Sequence, residues 1–497
     1  MTPSTSKLLR VAVIAMALFY AALFIGMVIV RLLYPYEVEF MEGLVADHCL
    51  RLINGLPIYD RPQLDFIATI YPPLYYYLSA GIMEIAGIGL FAPRLVSTLS
   101  TLGTCFLVYA ILRRQTDTTL IALLGPAIYI AAYGACGFFY DTARVDALFI
   151  FIVMAAIALL HERARTESTL SFGFLLSLSL IFALAFFAKQ QAILFIMASA
   201  VWMLLRSWRS SLIMLVCVGA MIGLGVVLLD TVNNSWFSYY VFTIPSAQGS
   251  QFNYYSFFNS IPELLLRFWA IPIFVIVFWL TRSSGSLVNY LRSDRGLLAI
   301  MLLTSIGALM FSYGNVGGYR NVVMPVVALV AVVFPLALCD LLRHEVISQS
   351  VAVSAIMLQF IALWVSPLWE GRFFASQANR EAGDRFIAMI SEVPGRVHIP
   401  NHGFLNHLAG KPMQYHIIGY RGVLIANDEH ARAIERINDS ALASHAYGAV
   451  IIDEDQISIP DSLTGYSLRE QMFEEPAVFS SKLLDIGTRP QYIYLPK

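Results

Sequence analysis

The stretch Tyr34-Pro-Tyr-Glu-Val-Glu-Phe-Met-Glu-Gly43 directly follows an apolar run from Leu8 to Leu33. Three carboxylates, Glu37, Glu39 and Glu42, therefore stand where a membrane helix meets water. Acids at that depth are costly unless they are partnered or put to use. Working outward, the whole 497-residue chain is 58% hydrophobic and only 13% charged, with mean hydropathy +0.69. Soluble domains carry about 25% charged residues. A bilayer accounts for the deficit, because lipid removes the need for a charged surface.

Apolar runs compatible with the ~20 residues of a spanning helix fall at roughly 8–33, 91–112, 118–139, 145–160, 169–188, 190–205, 211–229, 263–281, 296–312, 321–339 and 349–369. This reading gives about eleven transmembrane helices. The first run is long for a signal-peptide core and is read as a retained helix. With Lys7 and Arg10 facing the cytoplasm, every second loop is expected to be basic. Those loops carry Arg113 and Arg114, Arg163 and Arg165, Arg206 and Arg209, Arg282, Arg292 and Arg295, and Arg343. The N-terminus is thus expected inside and the C-terminus outside. Arg94, Arg144, Lys189 and Arg320 fall on the outer side and need a local reason to be there.

The first outer loop, 34–90, is too long and apolar for a plain connector. Glu42 to Asn54 is expected to form an amphipathic helix stopped by Gly55 and Pro57. Pro72 and Pro73 suit a second helix start, and Leu74 to Ile88 is expected to lie in the interface. A further outer loop, 231–262, rich in Asn, Ser, Tyr and Phe, reads as a mobile lid. From about Glu370 the composition changes. Val397-His-Ile and Ala449-Val-Ile-Ile read as strands and His430 to Ile437 as a helix. The division expected is a membrane part over 1–369 and a small extracytoplasmic α/β domain over 370–497.

The net charge of −1 offers no field for nucleic acid, and five cysteines without a CxxC give neither a disulfide framework nor a thiolate metal site. Walker, HExxH and GxSxG motifs do not occur. Five clusters remain. Glu39 and Glu42, three apart, share a face on a helical turn. A carboxylate at a low-dielectric boundary can act as a base near neutral pH; a solvated helix cap is the bland alternative. Asp141, Arg144 and Asp146 put two acids and a base into the turn after the third run, suited either to substrate or to a salt-bridged helix entry. Lys189 either snorkels or holds an anion. In Tyr313-Gly-Asn-Val-Gly-Gly-Tyr-Arg-Asn321, the glycines allow close backbone approach and Arg320 suits a phosphate, although Gly-rich turns are common. His398, His402 and His407 are spaced like zinc ligands, but Pro400 and Gly403 break the helix that would align them, and no metal site is assigned. Four of the five clusters fall on one membrane face. Acids suited to proton removal and cations suited to phosphate meet there, as a lipid-phosphate donor entering from the bilayer would require.

Glu37–Glu42, Leu52-Ile-Asn-Gly-Leu-Pro-Ile-Tyr59, Tyr71-Pro-Pro-Leu-Tyr-Tyr-Tyr-Leu78 and Pro93-Arg-Leu-Val-Ser97 occur in an order that resembles bacterial GT-C glycosyltransferases. The type is that of protein mannosyltransferases, lipid A aminoarabinose transferases and rhizobial lipopolysaccharide transferases. Arg144-Val-Asp146, Lys189 and Tyr319-Arg320 extend the likeness, which covers about 1–340. The resemblance implies an inverting transferase at the outer face of an inner membrane. It would move a sugar from a polyprenyl-phosphate donor to a hydroxyl of an envelope glycan, lipid or protein. An acid of the first outer loop, Glu39 or Glu42, would be the general base. Met41-Glu42 stands where Asp-Glu is common in the family, which leaves that choice open. Glu37, Asp141, Arg144 and Asp146 would bind acceptor or sugar, and Lys189, Tyr319 and Arg320 the donor phosphate. Family members differ in metal need, and the sequence requires no divalent cation. Two rival readings stand beside it: a transporter or lipid-linked sugar flippase, which should place polar groups at the midplane in two related halves, and a non-catalytic assembly subunit, for which the acids would be dispensable.

Overall fold

The computed structural model describes residues 3–116, 118–166, 170–249, 252–268, 272, 286–315, 317–363, 376–453, 463, 465–471 and 489–497. Much of the eighth apolar run and the end of the eleventh lie outside the described residues.

The first helix, α1 (Pro3–Leu32), shows why an apolar chain folds here without a soluble core. Tyr20, Phe24, Met27 and Arg31 are buried, at spacings of four, three and four, so they form one stripe. Val11, Ile14, Leu18, Ile25 and Ile29 are exposed, as lipid-facing residues must be. The stripe packs through the Tyr20 hydroxyl on the Phe360 carbonyl at 2.8 Å and an edge contact of Phe24 with Tyr133 at 5.1 Å.

Two non-spanning helices follow, α2 (Met41–Ile53) and α3 (Leu74–Ala86). The bundle continues with α4 (Phe91–Arg113), α5 (Thr119–Ala131), α6 (Val145–Thr166), α7 (Phe172–Ala188), α8 (Ala192–Arg206) and α9 (Trp208–Val232). Helices Asp294–Gly314, Met324–Arg343 and Gln349–Ala362 follow among the described residues. Among the described residues, six helical segments are long and apolar enough to cross a membrane: Arg10–Leu32, Phe91–Arg113, Val145–Thr166, Trp208–Val232, Asp294–Gly314 and Arg320–Arg343. Four shorter ones, α5, α7, α8 and Gln349–Ala362, match further runs expected to span.

The 118–139 run is not helical throughout. It ends as α5 at Ala131 and becomes a chain of turns. Gly137 and Phe138 both adopt left-handed φ values, 67° and 61°. At Gly137 a side chain would meet the Arg320 Cβ at 3.0 Å, so the glycine serves both the turn and the contact. The turn aims Asp141 and Arg144 back into the bundle end.

The 231–262 segment, expected as a mobile lid, is largely helical among the described residues. Trp236–Ser238, a π-turn at Tyr239–Thr243 and Ile244–Gln248 follow one another, and helix Tyr254–Arg267 comes after. Its aromatics supply the reason: Phe237, Tyr240, Val241 and Ile244 are buried, Phe237 stacks edge-on with Tyr59 at 5.1 Å, and the Tyr240 hydroxyl donates to the Asp60 carbonyl at 3.1 Å.

Beyond residue 375, helices Gln377–Glu392, Ile417–Ala426 and Glu429–Ala443 accompany a four-stranded sheet ordered β1-β2-β4-β3. Strand β1 (Arg396–His398) runs parallel to β2 (Tyr447–Asp453), while β4 (Pro490–Pro496) is antiparallel to both β2 and β3 (Tyr466–Gln471). Tyr34 and Tyr36 share a core with Phe386, Ile390, Val397 and Ile451, so the residues after α1 are part of this unit's interior. At Gly383 a side chain would strike the Tyr36 ring at 2.3 Å, which is why the helix can approach so closely.

Candidate functional site

The three acids after α1 are all buried but meet different partners. Glu42 opens α2, and Arg94 reaches it from the first turn of α4. The Arg94 Nε donates to Glu42 Oε1 at 2.8 Å and its Nη2 to Oε2 at 2.6 Å. The backbone N–H of Ala143 donates to Oε1 at 2.9 Å and that of Val38 to Oε2 at 2.8 Å. A carboxylate has about four lone-pair sites, and Glu42 has all four occupied. Burial alone would raise its pKa, but Arg94 and the two amides outweigh it and hold Glu42 below the usual carboxylate range. Arg94 also donates to the carbonyls of Arg31, Tyr34 and Tyr36, between 2.6 and 2.7 Å, so this one guanidinium organises the whole loop.

Glu39 is less occupied. Its Oε1 accepts from Arg144 at 3.1 Å and its Oε2 from the Met41 N–H at 3.2 Å. One site on each oxygen is left. Burial drives its pKa up, Arg144 draws it back, Glu42 adds to the rise, and the result is about 7.

Arg144 also faces Asp146, with Nε 3.8 Å from Oδ2. The Oδ1 of Asp146 accepts from Lys189 at 2.6 Å and from Asn321 at 3.0 Å. A salt-bridged helix entry was expected within this turn; the shorter contact of Asp146 is to Lys189, because α6 and the end of α7 meet side by side. Lys189 is thus neither snorkelling nor isolated. It lies 5.8 Å from the Tyr71 ring centroid and 5.9 Å from that of Phe149. Asp141 lies apart from this line, paired with Arg31 at 3.0 Å and bonded to the Tyr133 hydroxyl. Tyr319 and Arg320 open the segment leading to Asn321, both partly buried. Burial raises the Tyr319 pKa and Glu39 adds to it, against Arg144 and Arg421. One end of the bundle therefore holds Glu39, Arg144, Asp146, Lys189 and Asn321 as a continuous polar line.

Glu37 turns the other way. Its carboxylate bonds to His402 Nδ1, and His402 Nε2 lies 3.2 Å from Asp453 at the end of β2. Burial would lower the His402 pKa, but the two carboxylates raise it to about 10, so both ring nitrogens carry protons and donate. Asp47 on α2 is also buried, and burial together with Glu37 raises its pKa well above the usual range. Glu37 belongs to a contact between the first loop and the sheet, apart from the Glu39–Lys189 line. His398 stacks on Tyr447 at 5.0 Å and His407 on Phe404 at 5.6 Å, so the three histidines go to three separate surroundings. Among the described residues no group of three His, Cys, Asp or Glu side chains is arranged to hold a metal ion. The residues present do not fit one at the polar line, where each carboxylate is turned onto the protein's own cations.

Arg31, Arg94, Asp47 and Asp453 carried no site role in the sequence, His402 entered only by its zinc-like spacing, and Asn321 only as the end of the Gly-rich turn. For Arg94 a signal existed, as an outer-side arginine in need of a local reason. Arg31 carried none, since a lone arginine at the end of an apolar run reads as a snorkelling anchor.

Residues 71–229 match the family model described as dolichyl-phosphate-mannose-protein mannosyltransferase. No curated protein matches the chain in sequence. In three dimensions it is similar to ArnT from Cupriavidus metallidurans bound to undecaprenyl phosphate, at 12% identity and TM-score 0.58, over 96% of this chain and 97% of that one. It is similar to the Archaeoglobus fulgidus oligosaccharyltransferase in the apo form, at 12% identity and TM-score 0.55, over 90% of this chain and 69% of that one. Archaeal AglB from the same organism, in complex with an inhibitory peptide and a dolichol-phosphate, matches at 12% identity and TM-score 0.50, over 91% and 70%. The chain shares the GT-C fold with these structures.

Proposed function

We propose that this GT-C-fold protein is an inverting glycosyltransferase that uses a polyprenyl-phosphate sugar, with Glu39 as general base. The observation that carries the choice of base is hydrogen-bond occupancy. Glu42 has no lone-pair site left to take a proton, whereas Glu39 keeps one on each oxygen. A pKa of about 7 suits proton removal at neutral pH.

In the proposed reaction the acceptor hydroxyl gives its proton to Glu39 while its oxygen bonds to the sugar's anomeric carbon. The bond from that carbon to the phosphate oxygen breaks, and the electron pair leaves with the polyprenyl phosphate. Attack opposite the leaving group inverts the centre. Arg144 holds Glu39 in place and Asp146 fixes Lys189. Lys189 spends one N–H on Asp146, and its remaining donors, with Tyr319 and Arg320, line the phosphate end. Glu39 is fully buried, so the acceptor reaches it through a local opening that closes again to exclude water. Such ligands accord with the lipid phosphates bound by the two similar structures.

The site end is assigned to the extracytoplasmic face of an inner membrane, with the N-terminus cytoplasmic. The division into a membrane part, 1–369, and an outer α/β domain, 370–497, belongs to the same reading. The acceptor is a hydroxyl of an envelope glycan, lipid or protein.

The test supplies membranes containing wild type, Glu39→Gln or Glu42→Gln with a panel of polyprenyl-phosphate sugars and measures release of free polyprenyl phosphate. Release by wild type and its loss in Glu39→Gln is the expected result. Transport of intact lipid-linked sugar without release would instead make the protein a flippase, and full activity in Glu39→Gln would remove Glu39 as base.

A further inference from the structure

Four cations at this end of the bundle already face carboxylates of the protein: Arg31 with Asp141, Arg94 with Glu42, Arg144 with Glu39 and Lys189 with Asp146. Their hydrogen bonds can orient a ligand, but their charge is largely compensated before one arrives. A phosphoryl group leaving with a full negative charge needs a cation that is not already neutralised.

Helix Ile417–Ala426 brings one from the outer unit. Its N-cap, His416, contacts the Phe40 carbonyl through Nε2 at 3.1 Å and stacks on the Phe40 ring at 5.9 Å, one residue from Glu39. At Gly419 an added Cβ would stand 2.7 Å from the Ile67 carbonyl oxygen and 3.1 Å from that of Ala68. Only glycine permits so close an approach to the first loop. Gly422 lies against Ile244, where an added Cβ would be 3.6 Å from Cγ2. The helix is therefore seated on the first loop and on the segment Ile244–Gln248. Arg421 lies between these two glycines with its side chain exposed, and among the described residues it forms no ion pair. Its field reaches Tyr319, which also senses Glu39 and Arg144.

Building on the glycosyltransferase reading, we propose that Arg421 binds the donor's phosphate beside Lys189 and Arg320, so that the outer unit adds a positive charge to the donor site. Arginine suits that role through its forked donors and permanent charge. Since the helix also rests on the first loop, donor binding and seating of the outer unit are coupled.

Full-length protein in detergent would be titrated with undecaprenyl phosphate, comparing wild type with Arg421→Ala, Arg421→Lys and Arg421→Glu. Arg421→Ala is expected to weaken binding about 10–100-fold, the size of one hydrogen bond to a charged group, with Arg421→Glu weaker still and Arg421→Lys closest to wild type. The kcat/KM for the lipid-linked donor should fall in the same order, with Arg421→Lys keeping most of it, a rescue that a merely structural role would not produce. Inorganic phosphate forms a second arm. If it binds with an Arg421 dependence and does not compete with the lipid, the site is for free phosphate and the donor assignment fails. Equal lipid affinity in all four proteins, each with the wild-type melting temperature, would overturn the proposal. Wild type that binds no undecaprenyl phosphate would remove the glycosyltransferase reading itself.

Discussion

Arg94 and Glu42 form a bidentate ion pair, 2.8 and 2.6 Å, with both side chains fully buried. It joins the first turns of α4 and α2 and, through three backbone carbonyls, holds the chain from Arg31 to Tyr36. Removing one partner leaves an uncompensated buried charge. Arg94→Ala is expected to destabilise the protein by about 3–5 kcal/mol, and Arg94→Lys to recover only part, because an ammonium lacks the fork. Thermal unfolding in detergent measures both.

Glu39→Gln and Glu42→Gln should fail differently. Loss of a general base costs about 10²–10⁴-fold in rate. Glu39→Gln is expected to lose that much turnover while keeping its fold. Glu42→Gln should lower the melting temperature first, since it breaks the Arg94 pair. Parallel measurement of turnover and unfolding separates the two; a Glu39→Gln enzyme with wild-type turnover would refute the assignment.

The rate should follow ionisation of Glu39. With its pKa at about 7, the carboxyl is protonated and inactive below that pH and ionised above it. Turnover is expected to rise tenfold per pH unit on the acid side and level off above about 7. Asp at this position should restore some rate if the acceptor reaches the shorter side chain. A flat profile between pH 5.5 and 8.5 would contradict a base of this kind.

His402 makes the opposite kind of pH signal, in stability. Its folded pKa is about 10 against about 6.5 unfolded. A raised folded value means that its contribution is fully present below pH 6.5 and is lost as pH climbs toward 10. The contact between Glu37 and Asp453 should therefore loosen on the alkaline side. His402→Ala, which leaves two buried carboxylates unbridged, is expected to cost about 3–5 kcal/mol and to flatten that alkaline slope. Melting temperatures across pH 6 to 10 for both proteins are the check.

How much of this was legible beforehand differs by residue. Glu39, Arg144, Asp146 and Lys189 were each marked by charge at the end of an apolar run, and that signal survives without any knowledge of the fold. Which pairs form was not legible. Asp146 lies two residues from Arg144 but makes its shorter contact to Lys189, 43 positions away. His402 is 365 positions from Glu37, and its place between two acids follows from packing of the sheet unit against the first loop. The 231–262 segment misled because polar composition suggested a loop, while its interspersed aromatics bury themselves against Tyr59.

By its own pattern of apolar runs and interrupting charges, the chain determined that it is a bundle of membrane helices with a polar centre at one end. That follows from solvation alone, since burying charge in lipid is so costly that its position along each run is informative. The difference between Glu39 and Glu42 was decided only by tertiary structure. Both are glutamates three residues apart, and nothing local distinguishes them. Arg94 and two backbone amides fill every acceptor site of one, and Arg144 leaves the other room for a proton, because Arg94, Ala143 and Arg144 are brought by the fold from 52 to 105 residues away.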